Sequence, residues 1–257
     1  MAEVNHRNKG AKITLHWLNQ SRSQRILWLL EELGIDYDIK VYHRLETKMA
    51  PPELKGVHPL GKSPVITVVT PASPEPKVIA ESALIIEYLS KYFGKWLIPK
   101  EYPEGREDEI GGETDEYMRY RYFMHYAEGS LMTLMLAALI VLSIRNSPAP
   151  VRPVANIIAD GISSLLVEPN LKTHYDFLEG QLATSPGGGE YLCGKELTGA
   201  DILMSFPLEK AQERGGMSAA SYPKLTAYVE RLHERDAYKR AVQKIIDVDG
   251  SYESNLK

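Results

Sequence analysis

The chain has 257 residues, of which 44% are apolar and 25% charged, and these ordinary values exclude a disordered chain. A formal net charge of −4 and a pI near 6.0 argue against a nucleic-acid partner, which would need a clustered basic excess. The single cysteine, Cys193, excludes an internal disulfide and any two-cysteine redox site, so a reducing, cytoplasmic compartment is expected.

Neither a signal peptide nor a membrane anchor is predicted. Residues 1–12 carry charged and asparagine side chains without an apolar run. The longest apolar stretch, residues 131–142, is too short to cross a membrane and predicts a buried helix segment. We therefore expect no transmembrane segment.

The first part of the chain predicts a strand, a helix and a second strand. Residues 13–17 are rich in β-formers, and residues 21–33 have helical apolar spacing that ends at Gly34. The apolar positions of that helix are Ile26, Leu29, Leu30 and Leu33. The second strand is predicted where apolar and polar residues alternate, at Tyr37, Ile39 and Val41. Such a βαβ unit is right-handed, with its two strands parallel.

Two further strands and a helix follow. Residues 65–69 and 77–80 flank the proline-rich stretch 70–76, which predicts two antiparallel strands joined by a turn. Helical periodicity resumes over residues 82–93. The order βαβ and then ββα is the thioredoxin-like plan, and it predicts an α/β domain over residues 12–93.

Residues 94–106 contain glycines and prolines typical of an interdomain linker. Only helices are predicted beyond it, and we place them at 107–145 (as one helix or two abutting ones), 153–182 (interrupted near Pro169), 199–214, 222–234 and 236–246. The second domain is therefore predicted to be all-helical and to span residues 107–246.

Four short segments resemble the glutathione transferase family. They are residues 19–34 (NQSRSQRILWLLEELG), residues 58–65 (HPLGKSPV), residues 80–82 (AES) and residues 198–201 (TGAD). They occur in family order and at family spacing over about residues 12–245, and they look most similar to fungal and bacterial serine-type members. The resemblance implies a thioredoxin-like glutathione-binding domain joined to an all-α domain for the second substrate.

The resemblance also implies an activity. The glutathione thiolate would add to electrophilic, apolar small molecules in detoxification, with reduction of organic hydroperoxides as a further activity. Glutathione would be a co-substrate, without a metal or prosthetic group, and the protein a cytoplasmic homodimer. A glutathione-binding regulatory protein with little turnover is the alternative, and a domain that only docks into a larger assembly is a third reading. The sequence does not identify the electrophile.

Ser21 occupies the family's catalytic position, after the first strand and at the start of the first helix. A thiol with a pKa of about 8.5 is only about 3% ionised at pH 7, and lowering that pKa by two requires about 2.7 kcal/mol. A hydroxyl hydrogen bond to the thiolate, together with the helix N-terminus, can supply this. From the residues alone, Ser21 also fits a simple helix cap within a capping box that ends at Gln24. Ser23 and a backbone N–H are the competing donors.

Four further residues are predicted to bind glutathione: Lys62, Ser63, Glu81 and Ser82. The resemblance implies a cis Pro64, which exposes the backbone of Ser63 to the cysteinyl part of glutathione. Lys62 could meet the glycine carboxylate, although an exposed lysine without a ligand role fits as well, and Lys48 is a weaker candidate. Glu81 and Ser82 open a predicted helix whose free N–H groups favour a carboxylate. This pair is therefore predicted to hold the γ-glutamyl group, although Ser82 also fits a bare cap.

Other distinctive residues of the second domain are assigned to folding. Thr198 and Asp201 form a capping box. Cys193 is expected to be a small buried apolar residue. Aromatic residues recur at helical spacing and favour a core role over a pocket for the electrophile, and they are Tyr117, Tyr120, Phe123 and Tyr126.

Overall fold

The computed structural model of the chain describes residues 7–214 and 216–252. These residues form two units. The first holds the described residues up to Ile98 together with those from Leu232 onward, and the second runs from Pro99 to Arg231. This division differs from the predicted helical domain 107–246, because the last helix of the chain packs in the first unit.

The first unit contains a four-stranded sheet in the order β2-β1-β3-β4. The strands are β1 (Lys12–Leu18), β2 (Asp38–Tyr42), β3 (Val65–Thr70) and β4 (Ser73–Ala80). As predicted, β1 and β2 are parallel, and β3 and β4 are antiparallel. The sheet also pairs β3 antiparallel with β1, which the sequence did not predict. This mixed sheet, with helix α1 between β1 and β2 and helix α2 after β4, is thioredoxin-like.

The helices, numbered in chain order, are α1 (Ser23–Leu33), α2 (Ser82–Phe93), α3 (Asp115–Tyr126), α4 (Met132–Arg145), α5 (Arg152–Ile162), α6 (Glu168–Ala183), α7 (Gly199–Arg214), α8 (Pro223–Glu234) and α9 (Asp236–Asp249). Short 3-10 turns occur at Pro52–Gly56, Lys95–Leu97 and Pro186–Gly188. The predicted end of α1 is confirmed, since Gly34 has a φ of 62° and closes the helix in the left-handed region.

The proline-rich stretch 70–76 is not a simple turn, because β4 already begins at Ser73. The prolines at 74 and 76 are tolerated there since β4 is an edge strand and most of its first residues are exposed. The turn between β3 and β4 is therefore shorter than the sequence predicted.

Helix α9 packs against α1 within the first unit. The ring of Trp28, which is only 1% exposed, meets Tyr238 edge-on with centroids 5.4 Å apart. At the end of α1, the carboxylate of Glu31 accepts from Arg240, and Glu32 accepts from Arg235. The last helix therefore completes the core beside the sheet.

The second unit begins differently from the prediction, because α3 starts at Asp115 and not at residue 107. Positive φ angles at Asp108 (63°) and Gly111 (78°) turn the preceding segment, and the Thr114 hydroxyl then accepts the N–H of Tyr117 as a cap. A π-helical turn, Ala127–Leu131, joins α3 to α4. The interruption expected near Pro169 is a second π-helical turn, Ser163–Val167, between α5 and α6.

Residues 131–142 form a helix, as predicted, but the prediction that this segment is buried is largely wrong. Met132, Met135 and Val141 are the buried residues of α4, whereas Leu136 and Ile140 are about half exposed. Among the described residues, the helical run Asp115–Arg145 is the one long and apolar enough to cross a membrane by length and composition. Its most apolar window has a mean hydropathy of 2.0 and is 28% buried, and core helices of soluble proteins also meet this criterion.

Candidate functional site

The sheet topology opens three connections at one edge of the first unit. His16, near the end of β1, pairs with Val65 at the start of β3, and Val65 pairs with Ala80 at the end of β4. Because β3 is antiparallel to both neighbours, the loop after β1, the loop before β3 and the residues after β4 meet at this edge. The candidate site is built from these connections.

The predicted residues Ser21, Ser63 and Ser82 lie on these three connections. Ser21 follows β1 and is 7% exposed, Ser63 is half-buried before β3, and Ser82 is 4% exposed at the first position of α2. Glu81, next to Ser82, and Lys62, next to Ser63, are exposed at the same edge. The fold therefore gathers the residues that the sequence placed far apart along the chain.

Three serine hydroxyls form a hydrogen-bonded cluster. The hydroxyl oxygen of Ser23 lies 2.9 Å from that of Ser21 and is also hydrogen-bonded to the hydroxyl of Ser63. Ser23 is fully buried at the first position of α1. The two competing serines of the sequence prediction thus belong to one network.

The direction of each proton follows from the acceptors around the cluster. The Ser21 hydroxyl donates to the carbonyl oxygen of Leu18 at 2.7 Å, and the Ser63 hydroxyl donates to the carbonyl oxygen of His16 at 2.7 Å. The Ser21 hydroxyl is also placed to donate to the hydroxyl oxygen of Ser23 at 2.9 Å. Because the single proton of Ser63 goes to His16, Ser23 is the donor in its contact with Ser63. A bound sulfur must therefore compete with the Leu18 carbonyl for the proton of Ser21.

Ser21 also acts as a cap, although not in the predicted capping box. Its hydroxyl oxygen accepts the backbone N–H of Ser23 at 3.1 Å, which satisfies one free donor of α1. The Gln24 side chain, which a capping box would return to Ser21, donates to the hydroxyl of Tyr238 at 3.2 Å. The hydroxyl therefore accepts from the helix while its proton lies on a carbonyl.

The peptide bond between Ser63 and Pro64 is cis, as the resemblance implied. The two lysine candidates differ in backbone conformation, since Lys48 has a φ of 64° and its carbonyl accepts from Arg44 at 2.9 Å. The side chains of Lys48 and Lys62 are both exposed, so both are accessible to a ligand carboxylate.

The start of α2 offers backbone and side-chain donors. Glu81 takes a φ of 71° and a ψ of 121°, and its side chain does not cap the helix. Because the first N–H groups of any helix lack an intrahelical acceptor, those of α2 can donate to a ligand. The hydroxyl oxygen of Ser82 accepts from Nη2 of Arg25 at 2.8 Å. Hydroxyl, N–H groups and the positive helix end together favour a carboxylate.

Arg25 is the residue that sequence reasoning missed. It lies on α1, is 0% exposed and reaches across to α2. Its position four residues before Leu29 places it on the apolar face of the helix. A charged residue on the apolar face of a helix is the signal from which the sequence analysis could have identified Arg25.

The second unit holds the remaining predicted residues. The Asp201 carboxylate accepts from the backbone N–H of Thr198 at 2.8 Å, which is one of the two bonds of a capping box. The same carboxylate accepts from the hydroxyls of Thr198 and Tyr228, each at 2.7 Å. Burial and the nearby Asp201 raise the pKa of the Cys193 thiol well above its ordinary value, so this thiol is inert. The aromatic positions Tyr120, Phe123 and Tyr126 are buried core residues.

Within residues 7–214 and 216–252, no group of three or more histidine, cysteine, aspartate or glutamate side chains could hold a metal ion. The polar groups gathered at the sheet edge are hydroxyls, N–H groups and the Arg25 guanidinium. This set can bind an anion and can donate hydrogen bonds to it.

The chain thus combines a thioredoxin-like unit, which carries a hydroxyl cluster at its sheet edge, with a helical unit. Residues 21–91 match the sequence profile of "Glutathione S-transferase, N-terminal domain", and residues 162–236 match "Glutathione S-transferase, C-terminal domain". Glutathione S-transferase 1 of Saccharomyces cerevisiae is 34% identical over 234 residues, which are 90% of this chain and 94% of that protein. The chain belongs to the glutathione S-transferase family, and it is an enzyme of that family.

Two further comparisons agree with this assignment. Glutathione S-transferase 3 of Schizosaccharomyces pombe is 33% identical over 236 residues, which are 91% of this chain and 88% of that protein. The crystal structure of a glutathione transferase homolog from Lodderomyces elongisporus, with two GSH per subunit, is similar in fold, with a TM-score of 0.67 and 19% identity. The match covers 90% of this chain and 97% of that one.

Proposed function

We propose that the enzyme binds glutathione at the sheet edge and adds its thiolate to electrophilic, apolar small molecules, with detoxification as the outcome. The convergence of Ser21, Ser63 and Ser82 at that edge carries the proposal. The γ-glutamyl group binds at Glu81 and Ser82, where the Glu81 carboxylate accepts from its ammonium and the Ser82 hydroxyl donates to its α-carboxylate. The cysteinyl backbone pairs with Ser63, and Lys62 meets the glycine carboxylate. The glutathione bound by the Lodderomyces elongisporus homolog supports this choice of ligand.

Ser21 stabilises the thiolate in this proposal. Its proton leaves the Leu18 carbonyl and is donated to the sulfur, while the N-terminus of α1 adds a favourable field. The conjugation step forms a carbon–sulfur bond between the thiolate and the electrophile. In a substitution, the leaving group departs with the electron pair of the broken bond. In an addition, the electron pair of the electrophile's double bond moves to its far atom. The same thiolate can attack the peroxide bond of an organic hydroperoxide, and a second glutathione then completes the reduction.

The experiment that tests the proposed function compares retention on immobilised glutathione. Glu81→Gln combined with Ser82→Ala should abolish retention, because the two changes remove the partner of the γ-glutamyl ammonium and a donor to its α-carboxylate. A matched control combines Glu75→Gln with Ser73→Ala on β4, where both residues are exposed. Full retention of the Glu81 and Ser82 double variant would contradict the glutathione site, whereas retention without measurable conjugation by the wild type would favour the regulatory alternative.

We also propose that the enzyme is a cytoplasmic two-fold homodimer. The single cysteine fits a reducing compartment, and the surface of α4 and α5 supports the homodimer. Ten large apolar residues of this region are more than about a third exposed: Leu136, Ile140, Leu142, Val151, Val154, Ile157, Ile158, Ile162, Leu165 and Leu166. A standard interface buries about 800 Å² on each partner, and clustered apolar residues are what its core requires. Monomers rarely expose large apolar patches.

The exposed residues of α5 form a stripe on one face. Val154, Ile157, Ile158 and Ile162 recur with helical spacing, while Ala155 and Ala159 on the other face are buried. Residues 151–166 contain one arginine and one aspartate, so no net charge opposes the pairing of two copies. An apolar face without net charge can pack against the same face of a second copy, as a two-fold interface requires.

A further inference from the structure

Among the described residues, the guanidinium of Arg25 is the side-chain donor to the Ser82 hydroxyl. Nη2 of Arg25 lies 2.8 Å from the hydroxyl oxygen, both residues are buried, and the contact joins α1 to the first residue of α2. This contact lies behind the proposed γ-glutamyl site, and the inference drawn from it rests on the proposed function.

Hydrogen-bond chemistry fixes the direction of the Ser82 proton. An arginine has N–H donors and no acceptor, so the hydroxyl oxygen of Ser82 can only accept from it. One lone pair of that oxygen is thereby used, and its proton must point away from Arg25. The proton is then available to a ligand at the N-terminal end of α2, where the first N–H groups of the helix also lie.

The charge of Arg25 acts in the same direction. A hydroxyl that accepts from a charged donor is polarised and becomes a stronger donor to the next acceptor in the chain of hydrogen bonds. A carboxylate bound to Ser82 would lie within about 5–6 Å of the guanidinium, a distance at which opposite charges in a partly buried site attract strongly. A ligand without this carboxylate would gain neither effect.

We propose that Arg25 is a positioning residue that selects the α-carboxylate of the γ-glutamyl group by orienting the hydroxyl proton of Ser82 toward it. Arg25 itself does not touch the ligand, because the hydroxyl lies between them. The proposal separates carboxylate selection, which involves Arg25 and Ser82, from thiolate activation, which involves Ser21.

The test measures dissociation constants by calorimetry for two ligands, glutathione and 4-aminobutanoyl-Cys-Gly, which lacks only the α-carboxylate. Arg25→Met should weaken glutathione binding by about 10- to 100-fold, the range expected for a lost hydrogen bond of a charged group. Binding of 4-aminobutanoyl-Cys-Gly should change less than threefold. The dissociation constant of 4-aminobutanoyl-Cys-Gly divided by that of glutathione should therefore fall several-fold or more. Arg240→Met, which removes another guanidinium contact with α1, should leave the ratio unchanged.

An equal loss for both ligands would show that Arg25 only supports the fold, and it would overturn the inference while leaving the proposed function intact. Failure of the wild type to bind either ligand would overturn the proposed function, and the inference with it. Should Arg25→Met fail to fold, Arg25→Lys replaces it, since lysine keeps the charge but lacks the planar guanidinium donor. The ratio should then fall at least threefold, and an unchanged ratio would contradict the proposal.

Discussion

The hydroxyl of Ser21 donates to the carbonyl oxygen of Leu18 across the turn that joins β1 to α1, at a distance of 2.7 Å. A thiolate is a charged acceptor and attracts a hydroxyl proton more strongly than a neutral carbonyl does. The hydroxyl can therefore turn to the sulfur when glutathione binds, at the cost of one neutral hydrogen bond.

Ser21→Ala should raise the pKa of the bound thiol by about 1–2, because it removes a charged-acceptor hydrogen bond and leaves the helix end in place. Conjugation near neutral pH should then fall by roughly 10- to 100-fold and recover as the pH is raised. The thiolate absorbance of bound glutathione, titrated against pH, measures this. Ser23→Ala is the matched control, and identical midpoints for wild type and Ser21→Ala would move the donor role to Ser23 or a backbone N–H.

Ile157→Asp should convert the proposed homodimer into a monomer of about the chain mass, 28.9 kDa. Ile157 is 73% exposed in the α5 stripe, so the aspartate is tolerated in the free monomer but would be buried without a partner charge in the dimer. Light scattering at micromolar concentration measures the mass of the wild type and of the variant. Ile110→Asp is the control, since Ile110 is fully exposed outside the stripe, and a wild type that is already monomeric would refute the interface.

Asp201→Asn should lower the free energy of unfolding by about 2–4 kcal/mol, because a buried acceptor for several donors becomes a group with N–H donors of its own. The donors include the N–H of Leu192, the N–H of Thr198 and the hydroxyl of Tyr228. Urea unfolding gives the difference. Asp115→Asn, at the exposed first position of α3, should cost no more than about 0.5 kcal/mol, and equal losses for both variants would contradict this account.

His16→Gln should flatten the pH dependence of stability on the acid side. Burial, with the nearby charge of Lys40, lowers the pKa of His16 in the folded protein. The unfolded chain therefore takes up a proton at His16 first, and wild-type stability falls as the pH drops below about 6.5. Urea midpoints between pH 5 and 7.5 would show a steeper acid loss for the wild type, and parallel curves would exclude this contribution.

Local patterns in the sequence predict the elements whose signals are local. Helix α2 was predicted at the residues where it occurs, and the end of α1 was predicted because a glycine can adopt the left-handed conformation. The start of α3 was misplaced, since the charged residues before Asp115 are good helix formers and the turn depends on Asp108 as well as glycines. The edge position of β4, which permits its prolines, is a property of the sheet and not of the segment.

The site shows the same division between local and long-range information. Its serines were predicted from short motifs, but the direction of the Ser21 proton depends on where the Leu18 carbonyl lies. The contact of Arg25 with Ser82 joins residues 57 positions apart. Neither hydrogen bond leaves a periodic signal in the sequence, so only the folded chain reveals them.

The first unit takes its residues from both ends of the chain. Trp28 is covered by Tyr238, and the indole N–H of Trp17 donates to Asp249 at 2.9 Å. On the ribosome, the whole second unit must be synthesised before α9 emerges, so the first unit stays incomplete until α9 is made. A nascent chain that stalls before Asp236 would expose apolar surface to chaperones and proteases, and cells would therefore accumulate the folded first unit only in chains that include α9.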